Sequence, residues 1–220
     1  MIYENTQRGI FIDRPNRFIA HVDIDGVTET VHVKNTGRCR ELLLEGAEVI
    51  LQKSDDPKRK TKYDLITVKK PNLGWVNIDS QAPNKVVLEW LKTQNFDLIK
   101  PEYTYGGSRL DFYLERGEEK WLVEVKGCTL EIEGKGYFPD AKSERAAKHM
   151  RELQGALMEG YRCAAAFVIA MEGVDTVYPH VERDPEFAAA FENARAAGIE
   201  IWNLRCGVTE NELIIKNTGL

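Results

Sequence analysis

Two neighbouring segments in the middle of the chain constrain its fold most, because both alternate like β-strands and only a short turn separates them. They span residues 109–114 and 121–127, with a charged, glycine-containing turn at 116–119. Aromatic and β-branched residues dominate both segments, and apolar residues stand at every second position. This pattern predicts an antiparallel hairpin around which the rest of the chain is built.

The hairpin carries three charged residues that the strand period brings together. Side chains alternate between the faces of a strand, so Glu124 and Lys126 must point the same way. A register that sets Asp111 beside Glu124 would gather two carboxylates and an ammonium group. Two carboxylates can hold Mg²⁺ or Mn²⁺, and a nearby lysine can orient a water molecule or stabilise charge on a phosphate. The alternative is three polar residues on the solvent-facing side of an ordinary hairpin.

The second strand favours the functional interpretation. Leu122, Val123 and Val125 make it apolar on both faces around Glu124, as in the central strand of a sheet. Burying charges at such a position is costly unless they are paired or bound to a metal.

Composition excludes several classes of protein. At 220 residues and 43% hydrophobic, the chain can bury a core and form one or two domains. It has no apolar stretch of membrane-spanning length and no N-terminal signal peptide, so we expect no membrane partner. Four scattered cysteines fit no zinc spacing, which predicts reduced thiols and a cytoplasmic location. The net charge of −5 argues against indiscriminate polyanion binding but allows a local basic patch.

Residues 1–80 form the first predicted domain, a small β-barrel. Asp25-Gly26 is a strong hairpin signal, and residues 38–44 predict a single helical turn between the third and fourth strands. This order is typical of the OB type, whose open face commonly binds oligonucleotides, although an SH3-like barrel would give a similar pattern. The five predicted strands span residues 9–13, 18–23, 29–33, 47–52 and 63–68.

Two basic segments of this domain are candidate phosphate contacts. A loop between the last two strands carries Lys58, Arg59, Lys60 and Lys62, and it could follow a phosphate backbone or be a solvated hairpin tip. Arg38 follows the turn at residues 35–37, where it could contact phosphate or simply begin the helical turn.

Proline, glycine and asparagine recur at residues 71–83, which predicts the boundary with a second domain at residues 81–220. We predict a helix from residue 84 that carries Glu89, helices at 143–159 and 184–197, and strands at 164–171, 199–204 and 213–216. Together with the hairpin, they predict an α/β domain with a mixed sheet.

The helix at 143–159 has an apolar face at helical spacing. Lys142, Arg145 and His149 stand three and four residues apart on another face. This cationic face could hold a nucleic-acid phosphate, or it could be a solvated face balanced by Glu144 and Glu152.

Several motifs resemble the sugar fermentation stimulation protein A (SfsA) family of bacteria and archaea, and the resemblance runs nearly end to end. Cys39 stands where we expect methionine, outside every proposed site. The motifs are Asn35-Thr36-Gly37-Arg38 with Glu41-Leu42-Leu43, Ser108-Arg109-Leu110-Asp111-Phe112, Val123-Glu124-Val125-Lys126, and Tyr137-Phe138-Pro139-Asp140-Ala141 with Ser143-Glu144-Arg145, Lys148-His149 and Arg151-Glu152-Leu153.

The resemblance implies an OB-like barrel followed by a PD-(D/E)XK nuclease-like domain. Carried over by position, Asp111, Glu124 and Lys126 occupy the metal and catalytic positions of the nuclease motif. Glu89 falls on the first helix, where such nucleases often add an acid. The proline of the motif's name is Leu110 here, which leaves the chemistry untouched.

We therefore expect a protein that binds DNA, or RNA, without sequence preference and carries a phosphodiesterase site. Asp111 and Glu124 would ligate Mg²⁺ or Mn²⁺, and the barrel's basic loop with Arg38 would hold the strand. The alternative, suggested by the family's description, is a non-catalytic DNA-binding regulator of maltose metabolism on a nuclease scaffold. A small phosphodiester ligand such as a cyclic nucleotide ranks last, because the chain has no compact nucleotide-binding motif. The sequence gives no oligomeric state.

Overall fold

The computed structural model describes residues 1–35 and 37–216 and places them in two successive sheet structures. The first is a barrel and the second is a mixed sheet covered by helices, so the protein is a mixed α/β protein as the sequence predicts. Glycines at positive φ make several of the tight turns, among them Gly26 in the Asp25-Gly26 hairpin.

The barrel consists of five strands, which confirms the predicted OB-type domain. Their sheet order is β3-β2-β1-β4-β5, and a parallel pairing of β3 with β5 closes it. A short sixth strand, absent from the sequence prediction, continues the sheet beyond β5. The predicted helical turn is one hydrogen-bonded turn in which the Cys39 carbonyl accepts from Leu42 and Leu43 N–H. The strands are β1 (Thr6–Asp13), β2 (Ile19–Ile24), β3 (Val27–Val33), β4 (Glu48–Lys53), β5 (Tyr63–Lys70) and β6 (Gly74–Asn77).

A six-stranded mixed sheet forms the centre of the second part. Its order is β15-β14-β12-β9-β8-β7, and β12 is parallel to both β9 and β14. The predicted hairpin is β8 and β9, joined by a two-residue turn. The strands are β7 (Leu98–Tyr105), β8 (Ser108–Arg116), β9 (Glu119–Cys128), β12 (Arg162–Ile169), β14 (Glu200–Val208) and β15 (Leu213–Ile215), while β10 (Leu130–Ile132), β11 (Lys135–Phe138) and β13 (Val177–Pro179) form a small separate sheet.

Three helices cover this sheet on both faces. Helix α1 (Ala82–Leu91) packs on one face, and α2 (Glu144–Met158) with α3 (Pro185–Ala197) on the other. The side chains of Ser143 and Asp184 accept from backbone N–H groups and cap the N-termini of α2 and α3, and Gly198 ends α3 in a left-handed conformation.

A continuous apolar core joins the barrel to the second part. One buried cluster contains Val22 and Leu51 of the barrel together with Met150 and Phe167 of the α/β part. The backbone N–H of Asn77 also donates to the carbonyl of Ala170 at 2.9 Å across the junction. The four cysteines are free and buried, as the sequence predicts. Within the part of the chain that is described, no helix combines the length and apolarity needed to cross a membrane.

Candidate active site

The register of the central hairpin decides which charged residues meet. Phe112 of β8 pairs with Val123 of β9, so the next opposing positions are Asp111 and Glu124. The backbone ladder ends at the pair of Phe112 and Val123, just before these two positions. Both carboxylates and Lys126 line one pocket of about 650 Å³, as the strand period predicts.

Asp111 is held by two donors from different elements. The Val125 backbone N–H donates to Asp111 Oδ2 and the Asn84 side-chain amide donates to Oδ1, both at 2.7 Å. Burial, followed by the nearby charge of Glu124, raises the pKa of Asp111, and these two hydrogen bonds oppose the increase only in part. The site therefore holds Asp111 in an orientation that costs electrostatic energy when the carboxylate is ionised.

Glu124 is almost fully buried, with 2% of its surface exposed. Its Oε1 accepts from Lys126 Nζ at 2.5 Å and also contacts His149 Nδ1. Burial disfavours the charge, but the hydrogen bonds from His149 and Lys126 prevail and lower the pKa of Glu124. The second oxygen, Oε2, is buried and has no hydrogen-bond partner among the described residues.

His149 comes from α2 and lies behind Glu124, with 3% of its surface exposed. Because an ionised carboxylate only accepts hydrogen bonds, the proton belongs on His149 Nδ1. The other ring nitrogen, Nε2, faces Arg145 Nε at 3.4 Å and acts as an acceptor. The ring therefore supports Glu124 from behind, and it does not lie on the solvent-facing cationic surface predicted for it as a nucleic-acid contact.

The signal for this placement was present in the sequence. His149 is three residues after Ala146 and four before Leu153, both of which belong to the buried face of α2. Arg145 is exposed and lies at the rim of the pocket, where it can still contact a ligand.

Glu89 does not join the two carboxylates. It lies on the last turn of α1, is 56% exposed, and pairs with the N-terminal amino group at 2.6 Å. Asn84, five residues earlier, is on the side of the helix that reaches Asp111, and five residues turn a helix by about 140°. Beside Asp111, where the nuclease pattern predicts an acid on the first helix, this chain has the amide of Asn84. Asn84 is uncharged and was therefore not among the predicted site residues.

The N-terminal end of α1 forms one wall of the pocket. Ser80, Gln81, Asn84 and Lys85 line it, and the positive end of the helix dipole favours a negatively charged ligand nearby. Lys85 is exposed and, within residues 1–35 and 37–216, forms no ion pair.

Two of the four cations predicted in the basic hairpin of the barrel have internal partners. Arg59 is bound to both oxygens of Asp64, and Lys62 pairs with Glu29 at 3.2 Å. Lys58 and Lys60 are exposed. Arg38 is also exposed and lines a different groove, and its neighbour Thr36 lies outside the described residues.

Asp111 and Glu124 fit a hard divalent cation that needs only one or two carboxylate ligands from the protein. Among the described residues, no group of three or more His, Cys, Asp and Glu side chains could hold a metal. Mg²⁺, however, is usually bound by only one or two carboxylates and keeps several waters. Asp111 and Glu124 provide this number, and the partnerless Oε2 of Glu124 is an acceptor that a cation would satisfy.

Comparisons with known proteins cover almost the whole chain. Residues 12–78 match the family model "SfsA N-terminal OB domain", and residues 81–212 match "Sugar fermentation stimulation protein RE domain". A sugar fermentation stimulation protein homolog of Ruminiclostridium cellulolyticum is 50% identical over 98% of this chain and 97% of its own length. A homolog of Desulfitobacterium hafniense is also 50% identical, over 97% of this chain and 94% of the relative.

The fold matches a solved relative as well. The structure of Pyrococcus furiosus SfsA in complex with Ca²⁺ superposes with a TM-score of 0.87 at 28% identity, covering 99% of this chain and 96% of that one. The match extends through both the barrel and the mixed sheet.

Proposed function

The chain belongs to the sugar fermentation stimulation protein family, and we propose that it is a metal-dependent phosphodiesterase that binds and cleaves nucleic acid without sequence preference. The observation that carries the proposal is the buried, partnerless Oε2 of Glu124 beside Asp111, whose ionised form burial disfavours. A protein without use for these carboxylates gains stability by replacing them, since an unsatisfied buried acceptor costs roughly 1–3 kcal/mol.

Asp111 and Glu124 would hold Mg²⁺ or Mn²⁺ in this site. A bound divalent cation polarises a phosphate oxygen and lowers the pKa of a coordinated water. The complex of the Pyrococcus furiosus relative with Ca²⁺ supports a hard-cation site in this family. Oxygen ligands alone suit such ions and not zinc.

The remaining residues orient the two carboxylates and receive the substrate. Asn84 and the Val125 N–H fix the Asp111 carboxylate, while His149 fixes Glu124 from behind. The Lys126 side chain is 12% exposed and lines the pocket, where it can position the attacking water or stabilise the negative charge of the pentacovalent phosphorus. Arg145 and Lys85 at the rim provide cations for the phosphates on either side of the scissile bond.

One observation favours the second candidate, a DNA-binding regulator without catalysis. Oxygen Oε1 of Glu124 is already neutralised by Lys126 and hydrogen-bonded by His149, so half of the carboxylate is satisfied internally. A non-catalytic protein that keeps the nuclease scaffold would show the same contacts at Oε1 of Glu124.

Cleavage of labelled single- and double-stranded oligonucleotides with Mg²⁺ or Mn²⁺ separates the two candidates. We expect Asp111→Ala, Glu124→Ala and Lys126→Ala to reduce cleavage by at least about a thousandfold, because each removes several kcal/mol of charge stabilisation. Binding should persist in all three. Glu118→Gln, on the exposed β8–β9 turn, is the control matched in charge to the Asp111 and Glu124 variants and should cleave like wild type. Binding without cleavage under either metal would leave the regulator as the function.

A further inference from the structure

We infer that the nucleic-acid strand reaches the active site along a groove at the seam between the two parts of the molecule, with Arg17, Arg38, Arg40 and Lys142 as its phosphate contacts. This inference rests on the proposed function for the class of ligand. It assigns the binding surface to the seam and removes it from the basic hairpin at residues 58–62.

The groove has the size and the connection that such a path requires. Its volume is about 1100 Å³, and it runs between the barrel turn at residues 37–40 and the segment at residues 138–143. Phe138 and Ser143 line both this groove and the pocket of Asp111 and Glu124. The groove and the pocket therefore share part of their lining, so that a strand lying in the groove can extend to the candidate active site.

The charge of the groove is opposite to that of the chain. Five cationic and three acidic side chains line it, whereas the chain carries a net charge of −5. Across the described residues, none of the side chains of Arg17, Arg38, Arg40 and Lys142 forms an ion pair. Exposed arginines that are not used internally are available for phosphate, which they bind in bidentate fashion.

Arg14 prepares this surface from within. Its guanidinium donates to the backbone carbonyls of Asn35, Gly37, Arg38 and Arg17 at 2.6–3.0 Å. These four carbonyl oxygens point towards Arg14, so their partial negative charge is directed away from a phosphate that approaches the groove. Arg14 thus fixes the turn that presents Arg38 and acts as a positioning residue.

The hairpin at residues 58–62 is a weaker candidate for phosphate binding, both in its unpaired cations and in its connection to the active-site pocket. Asp64 and Glu29 already bind two of its four cations, and Asp55 and Asp56 stand beside the remaining Lys58 and Lys60. It also has no residue in common with the pocket of Asp111 and Glu124.

Two charge-matched double variants test the path. Arg38→Gln/Arg40→Gln and Lys58→Gln/Lys60→Gln each remove two exposed cations, and a melting curve checks that both are folded. Binding of a labelled oligonucleotide is measured in EDTA, where no divalent cation is available, at 50 to 200 mM salt. We expect the groove variant to lose at least about tenfold in affinity at 50 mM salt. Its slope of log K against log salt should fall by about 1.4 on a single strand or about 1.8 on a duplex.

The hairpin variant should keep its affinity within about twofold and retain the wild-type salt slope. Equal losses in both variants, or a larger loss in the hairpin variant, would overturn the inference. No loss in the groove variant on either substrate would overturn it as well.

A second measurement locates the bound oligonucleotide directly. The four native cysteines are buried, so Lys142→Cys and Lys60→Cys each introduce an exposed thiol that a photocrosslinker can label selectively. We expect the probe at position 142 to crosslink the oligonucleotide and the probe at position 60 to give little product. The reverse pattern would contradict the groove. Both measurements omit the metal, so their failure is distinct from a failure of cleavage, which alone would refute the phosphodiesterase.

Discussion

The barrel and the α/β part each bury a carboxylate against a lysine and a histidine. In the barrel, Asp64 is bound by Arg59, His32 and Lys34, and all its oxygens have partners. In the α/β part, Glu124 has Lys126 and His149 on one oxygen and no partner on the other.

Burial disfavours the charged form of the carboxylates in both clusters, but it prevails only at Asp111, whereas hydrogen bonds prevail at Asp64 and Glu124. Burial disfavours the charge of Asp64, but hydrogen bonds from Arg59 and His32 and the charge of Lys34 prevail and lower its pKa to about 2. At Asp111, burial and the neighbouring Glu124 raise the pKa. The same residue types thus form a satisfied cluster that stabilises the barrel and an unsatisfied one that has capacity left for a ligand.

The largest expected effect comes from breaking the satisfied cluster. Asp64→Asn removes the anion that Arg59, Lys34 and His32 bind, and we expect the free energy of unfolding to fall by about 2–3 kcal/mol. The melting temperature should fall by roughly 5–10 °C in a chain of this size. A denaturant titration checks the change, and an unaltered midpoint would mean that the cluster contributes nothing to stability.

Acid should remove the same contribution without a mutation. The folded-state pKa of Asp64 is about 2 and its ordinary value is 3.8, so its stabilisation is complete above about pH 4. It is lost as the pH falls through about 2, and its full size is about 2 kcal/mol. Urea midpoints at pH 5 and pH 2.5 measure this. Asp64→Asn should show a flatter profile than wild type, and a profile of equal steepness would contradict the assignment.

A divalent cation should act on the other cluster alone. At ten times its dissociation constant, Mg²⁺ or Mn²⁺ should stabilise the folded state by about 1.4 kcal/mol and raise the melting temperature by roughly 3–5 °C. The shift should vanish in Glu124→Gln and persist in Asp64→Asn. A shift that survives Glu124→Gln would place the cation elsewhere.

The smallest effect has the opposite sign to the first. Asp111→Asn relieves a charge that burial and Glu124 disfavour, so without metal we expect the free energy of unfolding to rise by about 0.5–1 kcal/mol. The gain should accompany the loss of cleavage, since active-site groups commonly trade stability for function. Calorimetry in EDTA measures this change in the free energy of unfolding. A decrease as large as that expected for Asp64→Asn would contradict the difference between the two clusters.

The sequence predicted the elements that local rules determine. Strand period and a short turn set Asp111 opposite Glu124, and an apolar run marked β12 as a central strand. Strand β7 was missed because Pro101 interrupts its pattern, which an edge strand tolerates. The short strands β6 and β13 depend on tertiary pairing and carry too few residues to show a period.

Residues that act through tertiary contacts were harder to place. His149 and Glu89 were assigned by residue type, but the packing of α2 and α1 decides that one is buried behind Glu124 and the other faces the N-terminus. Asn84 was not predicted as a site residue, because the candidates were chosen among charged residues and Asn84 is uncharged. The division of the chain at residues 80 and 81, the roles of the site residues and the nucleic-acid partner remain predictions.

The apolar core that crosses the junction has a consequence for how this protein can change over evolutionary time. A recombination event that separated the barrel from its mixed sheet would divide the buried cluster to which Val22, Leu51, Met150 and Phe167 belong and expose apolar surface at the junction. The backbone hydrogen bond from Asn77 to Ala170 would also be lost. Relatives that align with this chain over nearly their full length contain both parts.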